Sequence, residues 1–223
     1  MAGSPQIVAK ESCQADSPTP PVRRRGRPSP DQTRQRQHAV IAAARYEFIE
    51  KGYRATAMQA IAARAGVSKR SLYLWHADKA ALFRACIADG VEQLDLPSLD
   101  RETDLERGLS LFAAALLSAL SAEPAFGMGA LLMHEGRDFP ELSRAVEQGH
   151  ARMLAPLVAF LDRHGAQDGA RLAHLFESVL LSDLQQRMVL GQPAPSPQEA
   201  TVSVQDAVRL FLHGLSGWHV RPG

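Results

Sequence analysis

The chain has 223 residues, 45% of them hydrophobic and 22% charged, with a formal net charge of +1. This is an ordinary globular composition, sufficient for one small and one medium domain with a sizeable core. Two cysteines, Cys13 and Cys86, make no disulfide framework. No charged-then-apolar signal opens the sequence, and the longest apolar stretch, Leu109 to Leu120, contains Ser110 and Ser118 and is too short to span a bilayer. A cytoplasmic protein without a membrane partner is therefore expected. The charge is segregated: residues 1–79 hold 14 Lys and Arg against 6 Asp and Glu, giving +8, while residues 80–223 hold 11 against 18, giving −7. That asymmetry points the amino-terminal end toward nucleic acid and the rest away from it.

Residues 1–30 scatter Pro5, Pro18, Pro20, Pro21, Pro28 and Pro30 among Ser, Thr, Gln and Ala and cannot bury enough apolar surface to fold alone. They read as a disordered basic arm. Within it the core of Arg23-Arg24-Arg25-Gly26-Arg27-Pro28 resembles the AT-hook, which lays arginines along the narrow minor groove of A·T-rich DNA. Arg23, Arg24, Arg25 and Arg27 are thus candidate minor-groove contacts, placed just before the next element much as homeodomain arms are.

A first helix is predicted over 33–51, with Ile41, Ala44 and Phe48 on one face. Residues 56–82 then read as two short helices around a glycine turn. Thr56 can cap the first of them with Gln59 completing a capping box, and Met58, Ile61, Ala62 and Ala65 follow at helical spacing. Gly66 supplies a left-handed stop, Val67 an apolar anchor and Ser68 a cap for the second helix. Lys69 and Arg70 stand in that helix's first turn, where the helix dipole prefers anions, so a polyanionic partner explains them better than folding does. A helix-turn-helix of this kind sets its second helix in the major groove, where base pairs are distinguishable.

The remainder reads as helices, giving an all-α fold: 78–94, a break at 97–100, 102–122, 124–136, a helix entered through Asp138-Phe139-Pro140 and ending at Gly165, 168–190, a proline linker at 193–197, and 199–213. Domain limits are expected at 31–80 for DNA reading and 81–217 for a helical body, with 218–223 as a tail. The last two helices carry apolar stripes, Leu172, Phe176, Val179, Leu180 and Leu184 on one and Val204, Val208, Phe211, Leu212 and Leu215 on the other.

Residues 41–82 resemble the DNA-binding domain of the tetracycline-repressor (TetR) family of bacterial transcription regulators. The resemblance rests on Gly52-Tyr53, Thr56, Ile61-Ala62, Ala65-Gly66-Val67-Ser68, Leu72-Tyr73, Lys79 and Leu82. It implies that Thr56 and Lys79 hold phosphates and that Ser68, Lys69, Arg70, Ser71, Tyr73 and Trp75 face the groove or its flanking backbone. Two positions depart from the pattern: Arg70 stands where the family usually has a small residue, and His76 where it usually has a buried phenylalanine. Arginine in that place can read guanine.

Residues 126–157 resemble, more weakly, the AefR-like subgroup of the family. The resemblance to the TetR family as a whole implies a homodimer built on the two carboxy-terminal stripes, a double-stranded DNA operator, and an unknown, mostly apolar small-molecule effector bound among helices. Phe112, Leu116, Phe126, Met128, Leu132, Met133, Phe160 and Phe176 suit such a lining by composition. No cofactor and no metal are expected: His134, Glu135 and His150 are separated without an i, i+4 histidine pair. The sequence contains no Gly-x-Ser-x-Gly elbow, phosphate-binding loop or zinc-protease motif, so a non-enzymatic regulator is expected. An architectural DNA binder is the competing reading, and it would keep most of its affinity on random A·T-rich DNA.

Overall fold

The computed structural model describes residues 29–218, with side chains through residue 214. Among the described residues there are ten helices and no strand: α1 (Pro30–Ala55), α2 (Met58–Arg64), α3 (Lys69–Trp75), α4 (Lys79–Glu92), α5 (Leu105–Ser121), α6 (Ala125–Glu135), α7 (Pro140–Arg163), α8 (Gly169–Leu180), α9 (Ser182–Leu190) and α10 (Pro197–Trp218). No single helix among them is long and apolar enough to cross a membrane. The arm arginines and Cys13 lie outside the described residues.

Helix α1 begins three residues before the predicted start, because Ser29 and Gln32 cap one another and Pro30 occupies the first turn. Its last turn is broken at Gly52, whose φ of +79° only glycine adopts readily. The expected Thr56 cap is absent: α2 starts from Ala57 without a side-chain cap. Thr56 is 3% exposed, and its hydroxyl donates instead to the carbonyls of Glu47 and Gly52 at 2.8 and 2.7 Å. A serine or threonine hydroxyl has one proton, and here it is spent on finishing α1.

Two apolar cores result. The first joins Phe48, Tyr53 and Phe83, with ring centroids 5.5–5.7 Å apart, to Ile61, Leu72 and Leu82. It does not end at residue 80, since Met128 and Leu131 of α6 and Leu142 and Ala145 of α7 complete it. The second packs Phe112 and Leu116 of α5 against Phe160 of α7, Phe176 of α8 and Phe211 of α10.

The single helix predicted over 168–190 is two. Ser182 donates its hydroxyl to the carbonyl of Val179 at 2.9 Å, competing for a helix acceptor, and the chain turns at Leu181. The turn carries Leu184 and Met188 toward α6. Arg187, held by Asp183 within α9 at 2.7 Å, then ties α9 to α10 by a bond of 2.8 Å to Glu199. Glu199 and Ser196 cap the start of α10, which therefore begins two residues before the prediction.

Candidate nucleic-acid interface and effector cavity

Between α2 and α3 the chain turns at Gly66, at φ +65°, and the N–H of Val67 reaches back to the carbonyl of Ala62 at 3.0 Å. That is the bond pattern of a glycine-terminated helix. Ser68 caps α3, accepting from the N–H of Ser71 at 3.0 Å, and Leu72 plugs α3 into the first core. With Leu72 inward, Lys69, Arg70 and Tyr73 are exposed, and Lys69 lies over the Tyr73 ring at 5.8 Å. Ser68 and Ser71 share a hydroxyl contact of 2.8 Å at the start of the same surface.

The remaining expected DNA contacts are placed differently. Trp75 is half-buried against the first core, so only part of its ring is free. Lys79 gives its ammonium to the carbonyls of Tyr53, Arg54 and Thr56 at 2.6, 3.2 and 3.0 Å, a use of all three of its protons. Neither Thr56 nor Lys79 therefore has a side-chain donor left for phosphate. Burial also lowers the pKa of His76, keeping it neutral rather than adding a cation. Leu74, which the sequence reading passed over, is 82% exposed and adjoins Arg70 at i, i+4. A leucine off the core-facing stripe was the signal for it, and its methyls suit the methyl of a thymine.

Salt bridges fix the aim of this surface. Buried Glu47 pairs with Lys51 at 2.6 Å and Arg64 at 2.7 Å, which hold its pKa below the usual carboxylate range. Arg45 donates to the carbonyl of Cys86 and to Asp89 at 2.8 and 2.7 Å, locking α1 to α4. Burial pushes the Cys86 thiol up to about 12, so it stays protonated and unreactive.

A cavity of about 680 Å³ lies between α4, α5, α6, α7 and the α8–α9 bend, a size suited to a small molecule. Of the eight residues expected to line it, Met128, Leu132 and Met133 do. Phe112, Leu116, Phe160 and Phe176 are fully buried in the second core, and Phe126 packs against that core. They fill space that composition alone assigned to a ligand. The true wall adds Ile87 and Val91 of α4, Met153 of α7 and Met188 of α9, with a polar corner at His150 and Glu177.

Both α4 and α6 connect this cavity to the DNA-reading end. Helix α4, capped by Asp78 just after α3, runs to the cavity wall at Ile87 and Val91. Helix α6 ends at Glu135, whose two carboxylate oxygens accept the N–H groups of Tyr53 and Arg54 at 3.1 and 3.0 Å. The latch is reinforced by Arg54 on Asp138 at 2.8 Å and Tyr53 on Glu141 at 3.2 Å. Asp138 is thus engaged here rather than capping α7, which starts without a side-chain cap. Gly52 makes the approach feasible, since a Cβ there would collide with Glu135 Oε1.

The carboxy-terminal stripes are placed inward. Phe176, Leu180, Leu184, Val208 and Phe211 are buried within the protomer, and Leu172, Val204 and Leu212 are partly buried. Leu215 lies among the side chains not described. Val179 is exposed as expected, and with it stand Leu175 on α8 and Val202 and Leu210 on α10. These four form the outward apolar faces of the last long helices, masked in the sequence by the stronger inward stripes.

A helix-turn-helix carried on a helical body is the architecture of a DNA-binding transcriptional regulator. Residues 40–86 match the family model for bacterial regulatory proteins of the tetR family, and residues 107–214 match that for the AefR-like transcriptional repressor, C-terminal domain. The protein belongs to the TetR family and is not an enzyme. Among solved structures it is similar to a TetR-family transcriptional regulator from Mesorhizobium loti, at 28% identity and a TM-score of 0.70 over 81% of this chain and 96% of that one. It is also similar to the flavonoid-responsive regulator FrrA, at 28% identity and a TM-score of 0.64 over 81% and 96%. A TetR transcriptional regulator from Agrobacterium tumefaciens matches at 28% identity and a TM-score of 0.64 over 80% and 93%.

One prediction concerns base reading. Arg70→Ala should cost about 1–3 kcal/mol on the preferred DNA site and relax preference at one base pair, if the guanidinium pairs with guanine. Competition binding across single-base site variants measures it, and a uniform loss over all variants would place Arg70 on phosphate instead.

Proposed function

We propose that the protein is a repressor that binds a two-fold symmetric operator as a homodimer and leaves it when an apolar small molecule fills the cavity. The observation that carries this reading is that α4 and α6 wall the cavity at one end and hold the DNA-reading helices at the other. Residues near 31–80 read DNA through Lys69, Arg70, Tyr73 and Leu74, and the arm arginines Arg23, Arg24, Arg25 and Arg27 add minor-groove contacts. Residues near 81–217 sense the effector and pair with a second copy through the exposed faces of α8 and α10. The repressor sense is supported by the AefR-like repressor match, and a ligand response by the similarity to a flavonoid-responsive regulator.

An effector can shift the heads only through different affinity for two states, and DNA then weakens effector binding by the same factor. A molecule inserted among Met128, Leu132 and Met188 separates α6 from α9, and Glu135 carries that motion to the turn at Gly52. Screening compounds for release of DNA selected from the genome identifies the effector. Ala119→Trp, which fills the cavity from α5, should then keep operator binding while losing at least tenfold of the effector's potency in release. Unchanged release from the filled variant would place the sensor elsewhere.

A further inference from the structure

We propose that His150, His174 and Glu177 bind a divalent transition-metal ion of the zinc class, at the junction of α7 and α8 on the rim of the cavity. One ligand atom from each residue lies within 4.8 Å of the others. His174 and Glu177 are three residues apart on α8 and so share a face, while His150 comes across from α7. The Glu177 carboxylate, only 6% exposed, stands between the two imidazoles. Its Oε1 meets His150 Nε2, its Oε2 lies 3.9 Å from His174 Nδ1, and the two rings are 5.1 Å apart.

A simple ion pair explains His150 on Glu177 but not the second imidazole drawn to the same buried carboxylate. Metal bonds of about 2.0–2.2 Å hold neighbouring ligand atoms roughly 3–3.5 Å apart, so an entering ion would open the close His150–Glu177 contact and draw His174 in by a rotation of its side chain. That side chain is more than half exposed and free to make it. Two histidines and one carboxylate suit zinc, cobalt or nickel, and leave coordination positions for water. Magnesium and calcium, which ask for six or more oxygens, do not fit.

The site was illegible in the sequence because His150 lies 24 residues from His174, and the residues that the sequence groups as metal candidates are His134, Glu135 and His150. The structure commits Glu135 to the amides of Tyr53 and Arg54 and leaves it apart from His150.

The test uses the full-length protein stripped with a chelator, titrated with zinc chloride by calorimetry and with cobalt(II) by visible absorption. One equivalent per protomer and an intense low-symmetry cobalt spectrum are expected. His174→Ala, which alters a surface side chain, should lose at least tenfold in zinc affinity and the cobalt bands, and zinc should raise the melting temperature of the parent but not of the variant. Replacing His38, an exposed histidine far along the chain, should change neither. Equal zinc affinity in His174→Ala, or a parent protein with only the weak spectrum of hydrated cobalt, would overturn the proposal.

Discussion

Charges placed on the outward faces, Val179→Glu with Leu210→Glu, should leave the protomer folded and make it monomeric. Leu210 is 63% exposed in the protomer, so its replacement disturbs no core. Within a two-fold interface each lost apolar side chain counts twice, at about 1.5–3 kcal/mol per burial. One head reads only half a symmetric site, and operator affinity should fall toward the nonspecific level, on the order of a thousandfold or more. Sedimentation and circular dichroism of the variant check both halves of the expectation, and a dimer that survives both charges would remove the α8–α10 face from assembly. The same charge at Phe176, which is fully buried, should instead unfold the carboxy-terminal body, so a variant there reports stability and not assembly.

Glu135→Ala should disconnect the effector from DNA. The residue gives one oxygen each to the N–H groups of Tyr53 and Arg54, and hydrogen bonds to a charged group contribute about 1.5–3 kcal/mol. Removing them frees the turn at Gly52 from the end of α6. Coupling between sites in such proteins is typically about 1–3 kcal/mol, or five- to 150-fold in affinity. In the variant the ratio of operator affinities without and with effector should shrink toward one, whereas effector binding itself is kept because Glu135 is not in the cavity wall. Fluorescence titration of labelled operator measures the ratio, and a variant that still releases its operator as the parent does would eliminate the latch as the transmitting element.

The reading end was legible because its determinants are local. Gly66, Ser68 and the spacing of Ile61, Ala62 and Leu72 set a turn and a buried face within a dozen residues, and the structure follows them. Thr56 and Lys79 were assigned to phosphate by resemblance, while their side chains serve carbonyls of α1 and the turn after it. That use depends on how α1 ends against α4, which spacing does not reveal. The cavity was least legible of all. Large aromatics such as Phe112 and Phe160 look like ligand walls in composition, but they fill the core, and the wall is made by methionines and small residues at helix crossings. The bend at Leu181 and the meeting of His150 with Glu177 depend likewise on which helices cross, a fact set by the whole body and not by any window of sequence.

Selection of bound fragments from genomic DNA by the full-length protein, followed by sequencing, is the most direct measurement. A symmetric, dimeric reader that uses α3 predicts enriched fragments sharing an inverted repeat, with half-site centres one helical turn or a simple multiple of it apart. Enrichment of A·T-rich fragments with no shared repeat, at nearly equal affinity, would contradict it and leave an architectural binder working through its arginine arm.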